Sequence, residues 1–251
     1  TYAFSVYSYR KGLNPDKVVY PIISTVSDII VTACYVAVIK GTASGGRLGW
    51  TLFALLDAAF IAAVLFIVDR NRGNRDFIET VNQFLVTLGI VSVIVNITGS
   101  TLERITKTIG RSPEIYMVYP ALIDTVGDAG SIVGCTATTR MLLGTLSPRL
   151  AAIREHSQEI LSTWLASLTM FIVYAMASGV AYGANIVPGL ALKLIIVNIA
   201  LIPIIAVVAM ATAIVTTQRG LNPDNFVVPI ETSVSDGLTT LALYVVLTLL
   251  H

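Results

Sequence analysis

GLNPDNFVVPIETSVSD, residues 220–236, is present twice in this chain: GLNPDKVVYPIISTVSD fills residues 12–28. The offset is 208 at every position, and 11 of the 17 positions are identical. Each copy leads into a long apolar run, so Asp28 and Asp236 each fall inside what reads as a transmembrane helix. A carboxylate at that depth is costly to keep, and a pair kept in register points to a function.

The composition agrees with a membrane setting. Mean hydropathy is +0.80, and charged residues make up only 12%, against about 25% in soluble domains. A net charge of +1 gives no reason to expect nucleic acid as a partner. Membrane lipid is the expected surrounding. The two cysteines, Cys34 and Cys135, lie in apolar runs and read as buried thiols rather than a disulfide or a metal pair. The N-terminal stretch lacks the basic start of a signal peptide.

Apolar runs of about 20 residues predict seven spans, near 18–39, 48–68, 80–101, 113–139, 160–182, 189–215 and 226–250. The side holding the start of the first span then collects ten basic residues: Arg10, Lys11, Lys17, Arg70, Arg72, Arg75, Arg140, Arg149, Arg154 and Arg219. The other side collects six: Lys40, Arg47, Arg104, Lys107, Arg111 and Lys193. Positive charge prefers the cytoplasm, so both GLNPD loops are expected there, in a multi-pass protein of the plasma (cytoplasmic) membrane. Both aspartate helices then run outward as parallel repeats about an axis along the membrane normal. Four spans precede the second motif between about 80 and 216, while only the stub 2–9 precedes the first. The expected organisation is an end of a first repeat (1–41), a linker helix with its loops (42–77) and a complete second repeat (78–251). The missing first-repeat helices, or a homodimer mate, are expected partners.

In each motif the proline sits in the first helical turns, where its missing N–H matters least. Ten residues of helix place each aspartate about 15 Å deep, near the middle of the bilayer. Positions three, four and seven apart share a face. Pro21, Ser24, Thr25, Asp28 and Thr32 form one polar stripe, and Pro229, Thr232, Ser233, Asp236 and Thr240 form its counterpart. The two stripes are expected to face each other. Hydroxyls around one carboxylate suit a hydrated cation, whose waters donate to them. The alternative for a single acid is a protonated or base-paired structural contact.

The stretch YPALIDTVGDAGS, residues 119–131, adds Asp124 and Asp128 one turn apart, with Gly127, Gly130 and Ser131 beside them. Two acids at that spacing repel unless a cation or proton lies between them, and no Lys or Arg is within a turn. Pro120 and the glycines predict a bent or loosened helix. Glu231, five residues before Asp236, is expected on the opposite side of its helix, in contact with Arg140 or another base. Asp57 is mid-span with no repeat counterpart. His156 reads as an interfacial polar turn, and Asn96 and Asn198 as amides that tie helices together. No metal-spaced Cys/His cluster, phosphate loop or Ser–His–Asp set is present, so no enzyme is expected.

These residues resemble the transmembrane domain of the MgtE family of magnesium transporters, and more closely its duplicated eukaryotic solute-carrier relatives. The family's last helix carries a DP-x-P-T-D-like signature. It is matched by Asn222-Pro223-Asp224, Pro229, Thr232-Ser233 and Asp236, and again by Asn14-Pro15-Asp16, Pro21, Ser24-Thr25 and Asp28. The family's P…G-G/D-N-x-G element resembles Pro120, Asp124, Gly127, Asp128 and Gly130, with Asp128 where the family has Asn. The resemblance implies an all-α integral membrane fold of two parallel five-helix repeats joined by a linker helix, the first represented only by its last helix. It also implies a pore on a two-fold axis, with Mg²⁺ as the ion carried and other divalent cations possible substrates.

The leading reading is a divalent-cation channel or transporter. Asp28, Asp236, Asp124 and Asp128 would hold the ion, and Ser24, Thr25, Thr232, Ser233, Pro21, Pro229, Gly127 and Ser131 would line its path. The alternative is a Na⁺- or H⁺-coupled divalent-cation exchanger using the same acids. A retinal protein would need a lysine in the last span, and residues 226–250 contain none. A scaffold without transport leaves the midplane acids unexplained.

Overall fold

The computed structural model describes residues 2–44, 46–109 and 112–249. Arg111, counted above among the basic residues, lies outside them, as do the side chains of Arg104 and Lys107. Among the described residues the fold is all helical: α1 (Tyr2–Arg10), α2 (Pro15–Ser44), α3 (Gly46–Asn71), α4 (Arg75–Ile109), α5 (Pro113–Leu142), α6 (Ala152–Glu155), α7 (Ser157–Tyr182), α8 (Val187–Gln218) and α9 (Val227–Leu249). Short 3₁₀ turns at Ala184–Ile186 and Pro223–Asn225 lead into α8 and α9.

The GLNPD motif is a helix stop followed at once by a helix start. Gly12 ends α1 with φ 74°, and Gly220 ends α8 with φ 66°, a left-handed conformation that only glycine adopts freely. Behind each glycine a backbone N–H reaches back to close the helix, Leu13 to Ser8 at 3.1 Å and Leu221 to Thr216 at 3.0 Å. The asparagine then caps the next segment. Asn14 Oδ1 accepts from Asp16 N at 3.0 Å, and Asn222 Oδ1 from Asp224 N at 3.1 Å. Pro15 and Pro223 occupy the first helical position, where no N–H is needed.

The chain divides into two compact units, 1–82 and 83–251, with the boundary inside α4. In the first, α2 packs on α1 and on α3. Gly41 and Gly49 let α2 and α3 approach closely: a Cβ at Gly49 would collide with the Gly41 carbonyl, and one at Gly41 would stand 2.7 Å from the Phe53 ring. Cys34 is exposed on α2 and Cys135 half-buried on α5, and both are free thiols. The expectation of two buried thiols therefore fails for Cys34, because the apolar surface of α2 is left open within its unit.

In the second unit α5 is the hub, packed against α7, α8 and α9, which also pack on α8. Leu122, Val126, Phe171, Leu194, Ile205 and Leu243 are among its fully buried side chains. Asn198, also fully buried, joins two helices: Trp164 Nε1 donates to its Oδ1 at 3.0 Å, and its Nδ2 donates to Ser167 Oγ at 2.7 Å. Asn96 does not tie helices in this way, since it donates to the Ser92 carbonyl of its own helix at 2.7 Å.

The contact between α5 and α9 runs along two rows of residues. A Cβ at Gly127 would sit 3.3 Å from Ser235 Oγ, one at Gly130 would collide with the Glu231 carboxyl, and one at Gly134 with Val227. Gly127, Gly130 and Gly134 thus descend α5 while Ser235, Glu231 and Val227 ascend α9, an antiparallel seam of the small-residue kind used between membrane helices. The glycines serve this close approach, and α5 runs from Pro113 to Leu142 as one helix with Pro120 inside it.

Among the described residues, six helices are long and apolar enough to cross a membrane: α2, α3, α4, α7, α8 and α9, the last two with their lead-in turns. The seventh expected span, α5, has 30 residues but not the apolarity, since it carries Glu114, Asp124, Asp128 and Arg140. Its buried positions lie on several sides of the helix, so its neighbours shelter it.

Gly134→Ala should lower the thermal midpoint of the detergent-solubilised protein, with a loss of about 1–3 kcal/mol from overpacking. Gly89→Ala, on α4 with nothing within 4 Å of the added methyl, should leave the midpoint unchanged or raise it. Differential scanning fluorimetry of the two variants reads the difference.

Candidate ion site

Each copy of the motif carries the same hydroxyl device. Thr25 Oγ1 donates to the Pro21 carbonyl at 2.9 Å. Its counterpart Ser233 donates to the Pro229 carbonyl at 2.7 Å, and Thr232 donates to Val228 O at 2.9 Å. A hydroxyl has one hydrogen and two lone pairs, so these oxygens are left as acceptors. That is the polarity that the water shell of a cation needs.

Asp236 is half-buried on α9, and Asp124 and Asp128 are half-buried on α5. Asp128 and Asp236 both act electrostatically on Glu231, which places acids from both sides of the seam in one neighbourhood. Tyr119 ties the far end of that neighbourhood: its hydroxyl meets Thr240 Oγ1 at 2.7 Å. Thr240 spends its own hydrogen on the Asp236 carbonyl at 2.7 Å, so Tyr119 is the donor in the first bond. Gly127 and Ser131 are buried against α9. Pro21, Ser24 and Pro229 are half-buried, Thr25 and Asp28 are exposed on α2, and Asp57 is exposed on α3. Among the described residues, no group of three or more His, Cys, Asp or Glu side chains stands close enough to hold a metal ion.

Glu231 departs from the expected pairing with a base. It is fully buried in the seam facing α5, where its Oε2 accepts from Ser131 Oγ at 2.8 Å. Arg140 instead donates to His156 Nδ1 at 3.1 Å. The glycine row on α5 makes the difference, because it opens a slot that a helical wheel of α9 alone cannot show.

His156 is also fully buried, in the turn between α6 and α7. An arginine can only donate, so His156 Nδ1 is an acceptor and its hydrogen is on Nε2. That nitrogen donates to Thr136 Oγ1 at 3.0 Å, and Thr136 passes its own hydrogen to Ile132 O at 2.6 Å. A neutral imidazole thus joins the end of α5 to the turn before α7.

Gln83 is a further residue that the sequence does not single out. It is nearly buried, and its Oε1 accepts from Asn222 N at 3.2 Å and from Asn225 Nδ2 at 3.1 Å. It thereby fixes the second motif loop to α4. A lone glutamine in an apolar span is the signal that could have found it.

A family model described as MgtE, divalent cation transporter, matches residues 119–246, just over half of the chain. The match runs from Tyr119 on α5 into α9 and takes in Asp124, Asp128 and Asp236. No curated protein and no solved structure gives a match.

Removing the Gln83 acceptor hands two donors of the motif loop, on exposed Asn222 and half-buried Asn225, to water, at about 0.5–1.5 kcal/mol per bond. Gln83→Ala should accelerate hydrogen exchange at the Asn222 amide while leaving the α7–α8 amides unchanged, as read by exchange mass spectrometry.

Proposed function

We propose that the protein carries Mg²⁺ across the plasma membrane as a channel or transporter, on the premise that the chain belongs to the MgtE family of divalent cation transporters. The observation that carries the reading is the gathering of Asp128 and Asp236 from two helices around one seam, beside hydroxyls whose hydrogens are already committed to backbone carbonyls.

Asp236, Asp124 and Asp128 attract the ion, and Asp28 is the counterpart carboxylate at the equivalent place on α2. Mg²⁺ gives up its water reluctantly, so it travels with most of its shell. The oxygens of Thr232 and Ser233, and of Ser24 and Thr25 in the other copy, accept from those waters. Pro229 and Pro21 place the carbonyls to which the hydroxyls are pinned. Such contacts hold the ion loosely enough for it to leave again.

The fold is read as two parallel repeats: residues 1–41 end the first, 42–77 form a linker helix, and 78–251 form a complete five-helix second repeat. In support, Gly12 and Gly220 share the left-handed stop, and Asn14 and Asn222 the same cap. Thr25 and Ser233 make the same bond to a proline carbonyl. On this reading α5 crosses the membrane with its neighbours, and both GLNPD loops face the cytoplasm, where the positive charge collects.

Two unit charges about 6 Å apart at an effective dielectric of about 20 interact by about 3 kcal/mol, and a divalent ion doubles that. Neutralising one acid should therefore lower flux by at least about tenfold. In proteoliposomes loaded with a Mg²⁺ indicator, Asp236→Asn and Asp28→Asn are each expected to show that loss with folding preserved. Full flux in both variants would remove the paired aspartates from the path and leave Asp124 and Asp128.

A further inference from the structure

Glu231 has no task in the transport scheme above, yet it is the most deeply buried acid near it. Its side chain has no solvent exposure. It is walled by Gly130 and Ile205 and holds one hydrogen bond, Ser131 Oγ to Oε2 at 2.8 Å. Its other oxygen, Oε1, is buried and has no hydrogen-bond partner among the described residues.

The charged groups around it give an ionised carboxylate little support. Asp128 on α5 and Asp236 on its own helix both act on it electrostatically. From α8 it meets Ile205, and the one ionisable residue of that helix, Lys193, lies twelve positions away, about 18 Å along the axis. The basic residue of α5, Arg140, is ten positions from Gly130, about 15 Å, and is engaged with His156. A buried carboxylate with one hydrogen bond and two acidic neighbours is not a stable ion; a carboxylic acid in the same slot is.

We propose that Glu231 is a proton-binding site that couples divalent-cation passage to proton movement. The inference rests on the transport reading and deepens it. With the seam closed, the acid is neutral. A divalent cation arriving near Asp128 and Asp236 supplies the positive charge that a second anion needs there. Glu231 then ionises as the seam loosens at Gly130, and its O–H proton passes to water on the side from which the ion came. When the cation departs, the carboxylate takes a proton back from water on the other side and the seam closes. One proton leaves and one returns per cycle.

The test is Mg²⁺ uptake by the intact protein in proteoliposomes, with a Mg²⁺ indicator and a pH indicator inside. An imposed proton gradient, acid inside, is expected to speed wild-type uptake severalfold. In Glu231→Gln, which keeps the size and the Ser131 contact, the ratio of rates with and without the gradient should fall to one. Ser131→Ala keeps the carboxyl but removes the one donor to its ionised form. It should move the midpoint of the flux–pH profile upward by about one unit, and it carries the test if Glu231→Gln does not fold. Wild-type Mg²⁺ flux indifferent to the proton gradient would overturn the coupling and leave the transport reading standing. So would a Glu231→Gln variant as gradient-sensitive as wild type, or an unmoved profile in Ser131→Ala. A wild-type protein that passes no divalent cation would overturn both readings.

Discussion

The second unit depends on the absence of side chains along one edge of α5. Gly127, Gly130 and Gly134 let α9 lie close enough for Ser235, Glu231 and Val227 to fill the space a Cβ would take. In lipid no hydrophobic force draws helices together, so association relies on dispersion contacts and interhelical hydrogen bonds. Both require this closeness. The Ser131–Glu231 bond and the Tyr119–Thr240 bond exist because the two backbones run side by side, and the acids of α5 and α9 share one neighbourhood for the same reason.

The rest of the bundle shelters that edge. α7 and α8 cover the other sides of α5, which explains how a helix with two mid-length acids persists among apolar neighbours. Two polar chains inside the bundle close locally, Trp164–Asn198–Ser167 and Arg140–His156–Thr136. Each joins elements that are near in sequence, so each sets the geometry of one helix pair.

Much of this is legible in the amino-acid sequence. The GLNPD pattern contains its own turn, with glycine to stop a helix, asparagine to cap and proline to begin, and both copies form it. The membrane character and the glycine-rich acidic element can also be read directly, and the family is visible in them. What the sequence hides is anything that needs a second helix for its meaning. The period of α9 separates Glu231 from Asp236 around the helix. It says nothing about which side meets glycines, so a base looks like the natural partner for Glu231. The same glycines, viewed without α9, look like a weakness in α5. Gln83 and His156 are hidden for one reason: their partners stand 139 and 20 residues away, and no spacing rule joins them.

The Ser131–Glu231 bond closes a loop of 100 residues, and this has a consequence for biogenesis. α7 and α8 are linked by one glycine and a three-residue turn, so they can pair as a hairpin soon after they enter the bilayer. The edge of α5, by contrast, must wait through the synthesis of both before α9 exists to meet it. Until then a helix with two acids and a bare glycine row is without its cover. Long-range closure of this kind is the slow step of assembly, so the acids of α5 and α9 come together only when the last helix is in place.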